Sequence, residues 1–193
     1  MSVKIKKEDL IKGAIKIIRN KGDNELSARN LAKICECSTQ PIFRHFKNME
    51  ALKNTVYNDV YEIHKKQLEI GIEHKVPFIG VGLSYIRFAK KEKNLFKFLF
   101  MSSNSKYNNI LDMAENEQGK NYTELIEKST GLSHKSSKQI FINTWLIIHG
   151  IASMMSTTNC ELNDEEIETI IFDAFKGYRQ VMMNKELNSK YKK

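Results

Sequence analysis

Apolar residues recur three and four positions apart along almost the whole chain, a rhythm that fits helices and little else. Nine glycines and two prolines, Pro41 and Pro77, in 193 residues are too few for an all-β sandwich or barrel, which needs a turn signal every ~8–12 residues. The expected fold class is therefore all-α: a three-helix head followed by a larger helical bundle. No apolar run reaches the roughly 18 residues that span a bilayer. Met1–Lys12 alternates charged and apolar residues where a signal peptide carries an unbroken apolar stretch. Cys35, Cys37 and Cys160 are an odd set that offers no disulfide framework. Together these features predict a cytoplasmic protein with no membrane partner.

The first helix is expected over about Lys7–Lys21, with Leu10, Ile11, Ala14, Ile17 and Ile18 on one face and Gly22-Asp23-Asn24 as its stop. Ser27 should cap a short second helix whose inward residues are Leu31, Ile34 and Cys35. Ser38 should cap a third, with Ile42 and Phe46 inward and Pro41 in a first turn that has no use for its missing donor. A long fourth helix runs from Met49 to about His74. Further helices are expected over about Pro77–Glu92, Asn94–Met101, Tyr107–Glu117, Tyr122–Ser129, Ser136–Thr157 and Asp164–Lys185, with a fraying tail after Glu186. Asn163 and Glu166 have capping-box spacing at the start of the last one.

The charge is unevenly placed. Met1–Lys53 carries 12 Lys+Arg against 6 Asp+Glu, so about a quarter of the chain supplies six of its eight net positive charges. A field concentrated in that way suits docking of a polyanion on the amino-terminal segment, although a solvated basic face has the same composition. The order of residues adds to this. Two short helices joined by a tight turn across residues 27–46 have the layout of a helix-turn-helix, whose second helix enters the major groove. With Ile42 and Phe46 turned inward, Thr39, Gln40, Arg44 and Lys47 project outward with donors suited to base edges and phosphates. Ser38 and the free N–H groups of the first turn would form a phosphate site. By spacing alone, a small three-helix bundle that binds no DNA remains the other reading.

From Lys7 to Leu52 the sequence resembles the DNA-binding head of the TetR family of bacterial transcriptional regulators. The resemblance rests on Ser27 opening the second helix, Leu31-Ala32 within it and the turn Cys35-Glu36-Cys37-Ser38. It continues through Phe43-Arg44-His45-Phe46-Lys47 and Glu50-Ala51-Leu52. A Trp145-x-x-x-His149-Gly150 string in the second half resembles a motif of some of these regulators. The match implies that Thr39, Gln40 and Arg44 read bases, and that Ser27, Arg29, His45 and Lys47, with Lys53 as a further candidate, hold phosphates. Three positions depart from the pattern. Glu36 replaces the turn glycine and must accept a positive φ or force a different turn. Phe43 replaces a tyrosine, losing a hydroxyl bond to phosphate while keeping a ring that can lie on the sugar-phosphate backbone. Met49 replaces a lysine.

The resemblance also implies a division of roles at residue 48. Residues 1–48 would form the DNA-binding domain, and residues 49–193 an all-helical effector-binding and dimerisation domain. The second part is rich in aromatics. Tyr85, Phe88, Phe100, Phe141, Trp145 and His149 are the candidates to line a site for a small apolar or amphipathic effector, against the plainer reading that each fills core. Gly150 in mid-helix suggests a close helix approach as compensation for its cost of about 1 kcal/mol. The last two helices each show a wide apolar face suited to a homodimer built as a four-helix bundle, and a dimer would place two heads on a palindromic double-stranded operator. No cofactor and no metal site is expected, since the Cys35-x-Cys37 pair has no further ligand at zinc spacing. No nucleophile–base pair, HExxH or phosphate-cradling glycine loop points to an enzyme. The expected function is a ligand-responsive repressor, and the competing expectation is a helical adaptor whose basic head binds no DNA.

Overall fold

The computed structural model describes residues 5–102 and 115–190. Among these residues every regular element is helical. The α-helices are α1 (Lys7–Lys21), α2 (Ala28–Ile34), α3 (Gln40–His45), α4 (Met49–Glu69), α5 (Pro77–Lys91), α6 (Lys93–Phe100), α7 (Glu117–Thr130), α8 (His134–Thr157) and α9 (Asp164–Lys190). Short 3₁₀ turns lie at Asp23–Glu25 and Ile70–Glu73. The helix expected over Tyr107–Glu117 falls almost wholly outside the described residues. A boundary at residue 48 marks the start of α4, but packing groups the helices in another way. One compact unit holds Met1–Lys66 with Phe88–Lys106, and the other holds Gln67–Arg87 with Tyr107–Lys193.

In the first unit α1 buries the face its spacing predicts, Leu10, Ile11, Ala14, Ile17 and Ile18, together with Gly13. Gly13 is where α2 comes close: a Cβ there would lie 2.7 Å from Cys35 Sγ and 3.1 Å from Leu31 Cδ1. The far end of α1 is held by α6. Arg19 pairs with Glu92 at 2.9 Å, and Asn94 Nδ2 donates to the Arg19 carbonyl at 2.9 Å. The fourth helix is shorter than its apolar pattern suggests, because the chain tightens into the 3₁₀ turn after Glu69.

The second unit is a stack of helices in which α8 packs on α7 and on α9. Asn116 caps α7 by accepting the Gly119 N–H at 2.7 Å, which starts that helix five residues before the expected Tyr122. Ser133 caps α8, which starts two residues before the expected Ser136. The capping box on α9 forms in both directions, Glu166 N–H to Asn163 Oδ1 at 2.9 Å and Asn163 N–H to Glu166 Oε2 at 2.8 Å. This helix does not fray after Glu186. The Glu186 carboxylate accepts the Ser133 N–H at 3.0 Å and its hydroxyl as well, so the end of α9 is tied to the start of α8, and the helix continues to Lys190.

By length and mean hydropathy (1.3 over its most apolar window) α8 alone among the described helices could cross a membrane. It also carries Asn143, Thr144 and His149, and it buries Ile140, Phe141, Thr144, Ile148, Ala152 and Met155 within the protein. That pattern is one of a core helix.

Candidate functional site

The turn between α2 and α3 determines what α3 can present. Ser27 Oγ accepts the Asn30 N–H at 3.2 Å and caps α2 as its sequence predicts. At the other end Glu36 takes φ +51°, the left-handed conformation usually left to glycine. Cys37 N–H then reaches the Ala32 carbonyl at 2.9 Å and Glu36 N–H reaches Lys33 at 3.4 Å. These are the two bonds of a Schellman motif, which satisfies the last carbonyls of α2 and turns the chain sharply into α3. Of the two possibilities left open by the missing glycine, the chain has kept the turn and accepted the positive φ.

Of the two cysteines, Cys35 supplies packing. Cys35 Sγ leans on the α1 backbone, 3.8 Å from the Asp9 carbonyl. Burial pushes its thiol up, assisted by Cys37 and Asp9, and burial also raises Cys37. Both stay protonated at neutral pH.

Ile42 and Phe46 are buried beneath α3, as their four-residue spacing requires. Its outer side is open. Ser38, Gln40, Arg44 and Lys47 are exposed, Thr39 is half-buried, and the Phe43 ring is 50% exposed. Ser27 and Arg29, on α2 and its cap, are exposed as well. One expectation needs correcting here. Ser38 does not cap α3; it lies one residue early, and Thr39 holds the cap position without a side-chain bond to the helix. The reason is backbone shape: Thr39 already has φ −72° and ψ −16°, near-helical values, so its hydroxyl does not reach forward over the first turn. His45 is half-buried at the end of α3, and its Nε2 lies 3.2 Å from the Ile5 carbonyl.

The six aromatic candidates for an effector site fall into three separate groups. Tyr85 and His149 are hydrogen-bonded, hydroxyl to Nδ1, at 2.9 Å, and Trp145 stacks on the same imidazole with ring centres 4.9 Å apart and planes 19° from parallel. Burial lowers the His149 pKa, so the ring is neutral and can both donate and accept. Phe141 lies instead between Phe78 and Tyr122, centroids 6.2 and 6.0 Å away. Burial and the Glu69 charge push the Tyr122 hydroxyl up to about 12. Phe88 and Phe100 pack on His64 at 4.9 and 5.1 Å.

His64 was not singled out from the sequence. Its signal was present as Tyr57, Tyr61 and His64, spaced four and three on α4, and Tyr57 stacks on Tyr61. A groove of about 420 Å³ opens elsewhere, between the start of α8 and the end of α9, lined by Ser133, Lys135, Gln139, Met182, Lys185 and Glu186 among others. None of the six aromatic candidates lines it. Gly150 was expected at a close helix crossing, but a Cβ there would meet nothing within 4 Å. Its face of α8 points away from the protein's own core.

Among solved structures, one from Mesorhizobium loti assigned to the TetR family of transcriptional regulators matches over 90% of this chain and 95% of that one. Its TM-score is 0.57 at 14% sequence identity. The fold is the same. At so low an identity the likeness extends to architecture and no further. No protein-family model matches the sequence, and neither does any curated protein.

Proposed function

We propose that this protein is a ligand-responsive, DNA-binding transcriptional regulator that acts as a homodimeric, cytoplasmic repressor. One observation carries the reading: the polar and cationic side of α3 is open to solvent while its apolar side anchors the helix in the head. In this reading Thr39, Gln40 and Arg44 meet base edges, Ser27, Arg29, Ser38 and Lys47 hold phosphates, and Phe43 lies on the sugar-phosphate backbone. The TetR-type architecture of the Mesorhizobium loti regulator supports it.

Dimerisation would use α8 and α9. On α8, Leu146, Gly150 and Met154 form an exposed stripe spaced four and four. On α9, Ile170, Gly177 and Val181 are exposed, with Ala174 half-buried between them. Ile167, Ile171 and Met182 of that helix are buried, while Ile170 and Val181 are 39% and 46% exposed, so the apolar face is wider than one protomer's core uses. Two such pairs of helices make a four-helix bundle and carry two heads onto one duplex.

An effector held against Tyr85, Trp145 and His149 would act by favouring one head spacing over another, since a ligand indifferent to the two shifts nothing. The continuous helix α4, which follows the head directly, would carry the change. Sequencing the DNA that the purified protein selects from a random pool tests the proposal. It predicts a palindrome with half-sites about one helical turn apart. No enrichment above input would refute it.

A further inference from the structure

His45 ends α3, where the family resemblance places a phosphate ligand, yet its Nε2 is already committed 3.2 Å from the carbonyl of Ile5. A carbonyl only accepts, so Nε2 must carry the proton, and the ring orientation is fixed by that bond. The bond joins residues forty apart in sequence and pins the start of the chain to the end of the recognition helix. The next two residues are both lysines and both exposed. Lys6 is held as the N-cap of α1, its backbone N–H on Asp9 Oδ2 at 3.2 Å. Lys7 places its ammonium 5.4 Å from the centre of the Phe46 ring, the residue that follows His45. Phe46 is in turn followed by Lys47, so Lys7 is set at the same end of α3 as Lys47, with Lys6 beside Lys7 in the chain.

We infer that His45 is a positioning residue for DNA binding: it holds the Ile5–Lys7 segment against α3, so that Lys6 and Lys7 form a phosphate clamp alongside Lys47. The inference rests on the DNA-binding reading of α3 and adds to it a second cationic contact, with His45 acting through the backbone and not through the duplex. A lysine pair on a frayed segment would trail in solvent and gain little from a phosphate. The same pair fixed at one place on the head meets the backbone in register with the recognition helix.

The test is a salt titration of binding to a labelled, mixed-sequence DNA duplex of about three helical turns, read by fluorescence anisotropy. Each phosphate contact removed lowers the slope of log K against log salt by about 0.9. Lys6→Ala and Lys7→Ala together should lower it by about 1.8 for each head on the duplex, and circular dichroism checks that the double variant keeps the parent's helix content. His45→Ala should lower the slope by a similar amount, add nothing when combined with the two lysine changes, and be rescued by His45→Gln, whose amide can still donate to Ile5. Two outcomes overturn the inference while leaving α3 as the DNA-binding element: an unchanged slope in the double-lysine variant, or a His45→Ala loss that persists undiminished in that background. A parent protein that binds no duplex overturns the reading of α3 and the clamp together.

Discussion

Glu36 shows how a single side chain can stand against its own backbone. The left-handed conformation costs an L-residue roughly 1–2 kcal/mol, and the closing bonds of the Schellman turn offset part of that cost. Glu36→Gly should therefore raise the unfolding free energy by about 0.5–1 kcal/mol, after allowing for glycine's greater freedom in the unfolded chain. Urea denaturation measures it, and an unchanged or lowered midpoint would mean that the glutamate has a compensating contact. His64 makes a second prediction. Packed among Tyr61, Phe88 and Phe100, it is held by burial down to about 3 from its usual 6.5. The folded state thus keeps the ring neutral while the unfolded chain takes up a proton as pH falls below about 6.5. Stability is full above that value and is lost on acidification towards about 3, by about 2 kcal/mol at pH 5. His64→Phe should flatten the dependence between roughly pH 7 and pH 5, whatever it does to stability at neutral pH.

At the scale of elements, α3 is six residues long and has no stability of its own; it exists because Ile42 and Phe46 anchor it. That fixes which substitutions report on binding. Gln40→Ala should relax sequence preference by about 1–3 kcal/mol at one base pair, whereas Lys47→Ala should weaken all duplexes alike. Competition between the selected operator and a scrambled duplex separates the two effects, and identical behaviour of both variants would remove the base-reading assignment. The helix-turn-helix layout could be read from the sequence because the capping Ser27, four-residue apolar spacing and Pro41 all act locally. The Asn163–Glu166 box was legible for the same reason. What escaped depends on distant partners. Nothing within α9 says that Glu186 will find Ser133 and keep the tail helical. Nothing near His45 says that its ring will reach Ile5. The six aromatic candidates share a composition but not a place, because their helices turn different faces to different neighbours.

For the whole molecule, the exposed apolar stripes on α8 and α9 are more than an isolated protomer needs. Light scattering at micromolar concentration should find a dimer. Met154→Lys with Val181→Lys should give a helical monomer whose affinity for a palindromic duplex falls by about 10²–10⁴, as two linked heads become two separate ones. A parent that is monomeric would leave those stripes unexplained and the two-headed mechanism without a basis. The central claim, that the open side of α3 carries nucleic acid, is tested most directly by the dependence of duplex affinity on salt. Phosphate contacts through Arg29 and Lys47 from two heads predict a linear fall of log K with log salt, with a slope of about −3.6 from these cations alone. Weak association that is indifferent to salt would contradict it.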